Sequence, residues 1–165
     1  MNHKDSIENI LKVDFLESKL TLQPKGINDY IESSLSKYCR VMVETIEGGQ
    51  NDFQRLNEKI IASTSELSEL NNQFKSQLQQ SFYNTPLKLI EWYPLEIRHI
   101  NGMDCIHASY KRQFKDQPNV MVDLYRFLNY DRIISLTISY RISEKEYWSS
   151  TLDKTLKSFR ITNIK

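Results

Sequence analysis

The chain has 165 residues, 39% hydrophobic and 26% charged, which is enough for one core and hardly enough for two. Lys and Arg total 22 against 21 Asp and Glu, a net charge of +1, and no basic cluster stands out along the chain, so no nucleic-acid partner is expected. The longest apolar runs are about three residues, where crossing a bilayer takes roughly 20, so no membrane insertion is expected. The counts of Gly 4 and Pro 4 leave little material for long disordered linkers.

Residues 1–18 are mixed and polar, with Ile7, Ile10, Leu11 and Phe15 in partial helical spacing, and are expected to form an arm ahead of a single domain over 19–165. Met1-Asn2-His3-Lys4-Asp5 lacks an apolar h-region. That leaves a cytoplasmic protein, or a periplasmic or secreted one whose leader has been removed. Lys19 to Gln23 reads as a strand stopped by Pro24-Lys25-Gly26. A stretch without clear pattern follows. Tyr38 to Glu47 is rich in Val, Ile, Tyr and Thr and reads as a strand. Cys39, Val41, Val43 and Thr45 lie on one face of it, and Tyr38, Arg40, Met42, Glu44 and Ile46 on the other.

After Gly48-Gly49, Asp52 is placed as a helix cap, with Phe53, Leu56, Ile60 and Ile61 at helical spacing. Ser63 with Glu66 forms a second start signal, and Leu67, Leu70, Phe74, Leu78 and Phe82 make the next stripe. The pattern predicts two helices meeting near Ser63, or one long bent helix, ended by Asn84-Thr85-Pro86.

Leu87 to Tyr93 and Leu95 to Ile100 read as two strands divided by Pro94. Asn101-Gly102 is the residue pair that a type I′ hairpin turn requires. Strands are predicted over Met103–Phe114, Val120–Leu128 and Ile133–Ile142, with turns at Asp116–Asn119 and Asn129–Arg132. Ser143-Glu144-Lys145-Glu146 reads as a capping box before a helix striped with Trp148, Leu152, Leu156 and Phe159. Strands and helices come in separate runs, which predicts an α+β fold on a mostly antiparallel sheet.

Candidate chemistry is sparse. Cys105 and His107 share a strand face, as a thiol nucleophile and its base would, but no orienting carboxylate is evident and a half-buried structural pair is the simpler account. His3, His99, His107 and Asp104 offer no metal-ligand spacing, and there is no glycine-rich phosphate loop. The expectation is therefore no catalytic residue, no metal and no cofactor. Glu144 and Glu146 suit a helix N-terminus. Cys39 and Cys105 could pair, although buried free thiols fit their strand positions better.

Binding candidates come from the last strand. Ile134, Leu136, Ile138 and Tyr140 should face a helix, leaving Ser135, Thr137, Ser139 and Arg141 opposite, on a face that is either solvated or a groove for a partner. If the neighbouring strand presents His107, Ser109 and Lys111 on that same face, the sheet has a polar, small-residue surface. Tyr125, Tyr130, Arg126, Arg132 and Arg141 form a second set of the residue types enriched at interfaces. An alternative is a small-molecule or lipid pocket between Trp92, Tyr110 and Trp148. These features favour a protein partner of unknown identity, and a homodimer is compatible with them.

From Asn101 onward the chain resembles the PsbP-like superfamily. The motifs are Ile100-Asn101-Gly102-Met103, Ser109-Tyr110-Lys111-Arg112-Gln113 and Val122-Asp123-Leu124-Tyr125-Arg126-Phe127. They continue with Asp131-Arg132, Leu136-Thr137-Ile138-Ser139-Tyr140-Arg141 with Glu144 and Trp148, and Lys157-Ser158-Phe159. That superfamily gathers PsbP, the Ran-binding Mog proteins, the DcrB lipoproteins and the Eag-type secretion chaperones. The resemblance implies an α/β/α sandwich around an antiparallel sheet. It also implies a binding role, such as a secretion chaperone or immunity-type adaptor, more than an activity. No functional residue of the superfamily transfers onto a motif of this chain.

Overall fold

The computed structural model describes residues 17–27 and 36–165. The arm before residue 17 and the unpatterned stretch 28–35 lie outside the described residues.

Six strands form one antiparallel sheet: β1 (Glu17–Leu22), β2 (Cys39–Glu47), β3 (Leu87–Ile100), β4 (Met103–Phe114), β5 (Val120–Leu128) and β6 (Arg132–Arg141). Their order is β1-β2-β6-β5-β4-β3. Helix α1 (Thr64–Phe82) precedes β3 and helix α2 (Lys145–Ser158) follows β6. The α+β class expected from the sequence is the one observed. No described helix is long and apolar enough to cross a membrane.

The β3–β4 hairpin turns on Asn101 and Gly102, whose φ angles of 52° and 85° are those a type I′ turn demands. The Asn101 amide also donates to the carbonyls of Leu156 and Phe159, at 2.8 and 2.9 Å, which ties the hairpin to the end of α2. Cross-strand register then sets two faces. On one, Tyr125 stands opposite Leu136, Cys105 opposite Arg98, and Val41 opposite Ile138. This face carries the core of Val41, Met103, Cys105, Tyr125, Phe127, Leu136 and Ile138, closed by Leu152 and Leu156 of α2 with Phe159 and Ile161 beyond it. We call it the α2 face.

The other, the α1 face, carries Leu124 opposite Thr137, Val122 opposite Ser139, and Trp92 opposite Tyr110. Helix α1 lies over its β3–β4 half. Asn71 anchors the helix by accepting from the Trp92 indole N–H at 2.9 Å and the Leu95 backbone N–H at 3.0 Å. One helix on each face makes three layers.

Three expectations are corrected. Residues 51–63 form no helix, so 52–82 is neither two helices nor one bent one. Leu56 plugs the core at 3% exposure while Ile61 is 90% exposed, so the apolar residues of this stretch do not share one side. Its backbone groups pair elsewhere, Phe53 N–H with the Tyr130 carbonyl at 3.0 Å and Ile60 N–H with the Asp104 carboxylate at 3.0 Å. Asp52 accordingly accepts from Gly49 N–H within a turn instead of starting a helix. The Ser63–Glu66 capping box does start α1.

Pro94 does not divide two strands. β3 runs unbroken, with register shifts at Leu89/Glu91 and Tyr93/Glu96. An edge strand can absorb a residue without an N–H at such a bulge. Ser143 does not cap α2, because a 3₁₀ turn over Ile142–Glu144 begins one residue earlier and leaves Glu144 at the cap position without a side-chain bond. Cys39 and Cys105 are buried free thiols, the state their strand positions favoured. Three strand spacings separate β2 from β4, about 14 Å, beyond the reach of a disulfide.

Candidate functional site

The register divides the expected binding residues between the two faces. Ser135, Thr137, Ser139, Arg141 and Arg126 lie on the α1 face, whereas His107, Ser109, Lys111 and Tyr125 lie on the α2 face. The shared polar face expected for both groups does not exist. His107 stands opposite Tyr125, which stands opposite Leu136, so all three point to the core side.

On the α2 face, His107 is buried and stacks on Tyr125 with ring centroids 4.7 Å apart. Its Nδ1 is 2.9 Å from Glu96 Oε1 and its Nε2 2.9 Å from Asp123 Oδ1. These two carboxylates are the orienting partners the sequence conceals. The bulge between Tyr93 and Glu96 is the reason, because it brings both onto the α2 face although they are three residues apart. With both ring nitrogens engaged, His107 offers no free base to Cys105. Burial pushes that thiol up to about 12, so the pair does not work as nucleophile and base. Lys111 is taken up by Glu91, whose carboxylate accepts from it.

Acid should loosen this edge. The His107 hydrogen bond first, and the Arg98 contact after burial, hold the Glu96 carboxyl below its ordinary value of 4.5. His99 and the Ile60 N–H likewise lower Asp104, and Arg132 and Lys165 lower Asp131. A carboxyl depressed in the folded state adds stability that is complete above its unfolded value and disappears as pH falls through the folded one. Thermal midpoints followed from pH 7 downward are therefore expected to begin falling below about pH 4.5, near the unfolded carboxylate range. Glu96→Gln should shallow that fall; an unchanged acid limb would count against the assignment.

The α1 face is not a solvated outer surface. Ser135, Thr137 and Ser139 are 3%, 8% and 3% exposed. Arg126 lies 4.4 Å from the Phe74 ring of α1, with its Nε buried and unbonded among the described residues. Burial lowers the pKa of its guanidinium, opposed by Glu44. Thr137 and Ser139 instead floor a slot of about 140 Å³ between Phe82 on one side and Tyr38, Arg40 and Met42 on the other. Tyr38, Arg40 and Arg112 also line a second, adjacent cavity of about 890 Å³ at the sheet's end, together with Arg141, Lys115 and Gln117. Tyr38 is the hinge of this groove: its hydroxyl is 3.2 Å from Ser139 Oγ and accepts from Arg112 Nη2 at 3.1 Å.

The second expected set is scattered. Tyr125 is core, Arg55 stacks on Tyr130 at 4.5 Å, Arg132 pairs with Asp131 at 2.8 Å, and Arg141 lies at the far end of β6. Trp92 and Tyr110 stack at 6.0 Å under α1, while Trp148 belongs to α2 across the sheet, so those three line no common pocket.

No family model matches the chain, and no curated protein does. Among solved structures, a protein of unknown function from Pseudomonas aeruginosa, PA94, is 11% identical, with 88% of this chain and 83% of that chain covered at a TM-score of 0.51. The solution structure of cyanobacterial PsbP from Synechocystis sp. PCC 6803 is also 11% identical, with 87% and 81% covered at 0.48. At such identities the likeness concerns fold alone.

Tyr38, Arg40 and Arg112 are the residues of these cavities that sequence reasoning missed. The alternation of β2 places Arg40 and Met42 on one side, but nothing local shows that Arg112 shares it. That follows only from the chain of pairs Arg112–Val120, Val120–Arg141 and Arg40–Ser139.

Proposed function

We propose that this chain is a non-enzymatic interaction domain that holds a segment of a protein partner in the groove on its α1 face. The observation that carries this reading is the pair of adjacent cavities on this face, which share walls of Tyr38, Arg40 and Arg112, the smaller one floored by Thr137 and Ser139. Small polar floors admit a backbone, and Tyr and Arg are the residues that most often anchor interfaces. A chaperone for a secreted client, or an immunity-type adaptor, is the narrower form of the proposal.

A photo-crosslinking residue in place of Phe114, which lines the groove and is 45% exposed, is the direct test. In host extract it should capture a discrete protein. The same residue in place of Tyr147 on α2, 57% exposed, should not. Identical products from both positions, or none from Phe114, would sink the proposal.

A further inference from the structure

We infer that the wide end of this groove recognises an acidic polypeptide segment, its Asp or Glu carboxylates received by Arg40, Arg112, Arg141 and Lys115. This deepens the interaction reading and rests on it.

The four cations come from β2, β4, the turn after β4, and the last residue of β6, and they line one cavity of about 890 Å³. No carboxylate of the described residues lines it with them. Several cations elsewhere are neutralised within the fold: Lys19 pairs with Glu44, Arg98 with Glu96, Lys111 with Glu91, Lys157 with Asp153 and Lys165 with Asp131. The groove arginines make no ion pair with a described residue. Arg40 Nε donates to Gln23 Oε1 at 2.9 Å, Arg112 Nη2 to the Tyr38 hydroxyl at 3.1 Å, and Arg141 Nη2 to Gln117 Oε1 at 3.1 Å. Each guanidinium carries five N–H donors, so these neutral contacts orient the forks and leave most donors without a partner among the described residues. Like charges gathered around one cavity repel one another, and an entering anion relieves that repulsion.

Guanidinium forks suit bidentate carboxylates. Shape favours a chain over a lone ion. At about 890 Å³ the cavity is far larger than one carboxylate, and its walls include the apolar Phe114, Pro118 and Val120, against which an extended segment can lie.

Fluorescence anisotropy of the full chain with a labelled oligoglutamate peptide tests this. Binding should weaken steeply as salt rises, and an oligolysine of equal length should not bind. Arg40→Gln with Arg112→Gln should weaken oligoglutamate binding at least tenfold, and Lys154→Glu on α2 should leave it unchanged. Unaltered thermal midpoints in both variants show that they are folded. Absent binding, equal binding by the double variant, displacement by inorganic phosphate at concentrations comparable to the peptide, or tighter binding of oligothymidylate would each overturn the inference. If the Phe114 crosslink survives undiminished in the double variant, the interaction reading stands and acidic recognition falls. If the crosslink was never specific, the interaction reading fails first.

Discussion

Phe127→Ala is expected to lower the free energy of unfolding by about 3–5 kcal/mol. Phe127 is 0% exposed, and its ring centroid lies 5.3 Å from that of Phe159 just beyond α2. It lies in the cluster formed by Tyr125, Leu136 and Ile138 of the sheet with Leu56 of the long loop. Truncation removes a full aromatic ring and opens a cavity that three separate elements would have to move to fill. Domains of this size are stable by roughly 5–15 kcal/mol, so the variant should be folded only marginally or not at all at 37 °C. Phe114→Ala, on a residue 45% exposed, should cost under about 1 kcal/mol. Urea unfolding followed by tryptophan fluorescence checks both. Similar midpoints for the two variants would show that the core is not centred where the burial puts it.

Asn129→Ala should cost about 2–3 kcal/mol and release the segment that follows α2. The Asn129 side chain is 0% exposed yet polar, and both ends of its amide are used. Its Nδ2 donates to the Asn163 carbonyl at 2.8 Å, and its Oδ1 accepts from the Lys165 N–H at 2.8 Å. Lys165 Nζ adds a 2.7 Å contact to Asp131. These bonds hold residues 160–165 against the β5–β6 turn, which keeps Ile161 packed on the core. Without them the buried backbone groups lose their partners, and the segment gains the entropy that ordering had cost. Trypsin should then cut after Arg160 much faster than in the parent protein, before the rest of the domain unfolds. Unchanged cleavage there would mean that Phe159 and Ile161 hold the segment by packing alone.

These two residues show where local sequence information stops. Phe127 is a large aromatic residue in an apolar-rich strand, and its burial is the ordinary expectation there. Asn129 looks like any turn asparagine. Its role depends on a segment more than 30 residues later returning to the β5–β6 turn.

The groove repeats that lesson. Composition and linear pattern show no basic cluster, and along the chain there is none. Arg40, Arg112, Lys115 and Arg141 meet only because β2, β6, β5 and β4 are neighbours in that order. His107 is the same case on the other face, its two carboxylate partners supplied by a bulge in β3 and by β5.

By itself, the sequence determined most of the elements and which residues share a face within each strand and helix. The hairpin at Asn101-Gly102, the capping box at Ser63, the apolar stripes of both helices and the split of β6 into two faces are all local properties. They depend on propensity, on capping and on periods of 2 and 3.6 residues. Tertiary structure alone decided which strand faces coincide. Alternation orders side chains within a strand, but a shift of one residue in register, or one bulge, reverses the relation to the neighbour. It therefore parted His107, Lys111 and Tyr125 from Ser135, Thr137 and Ser139. It also spent the apolar residues of 53–61 on a loop instead of a helix, because burying Leu56 in the core stabilises the molecule more than a short exposed helix could.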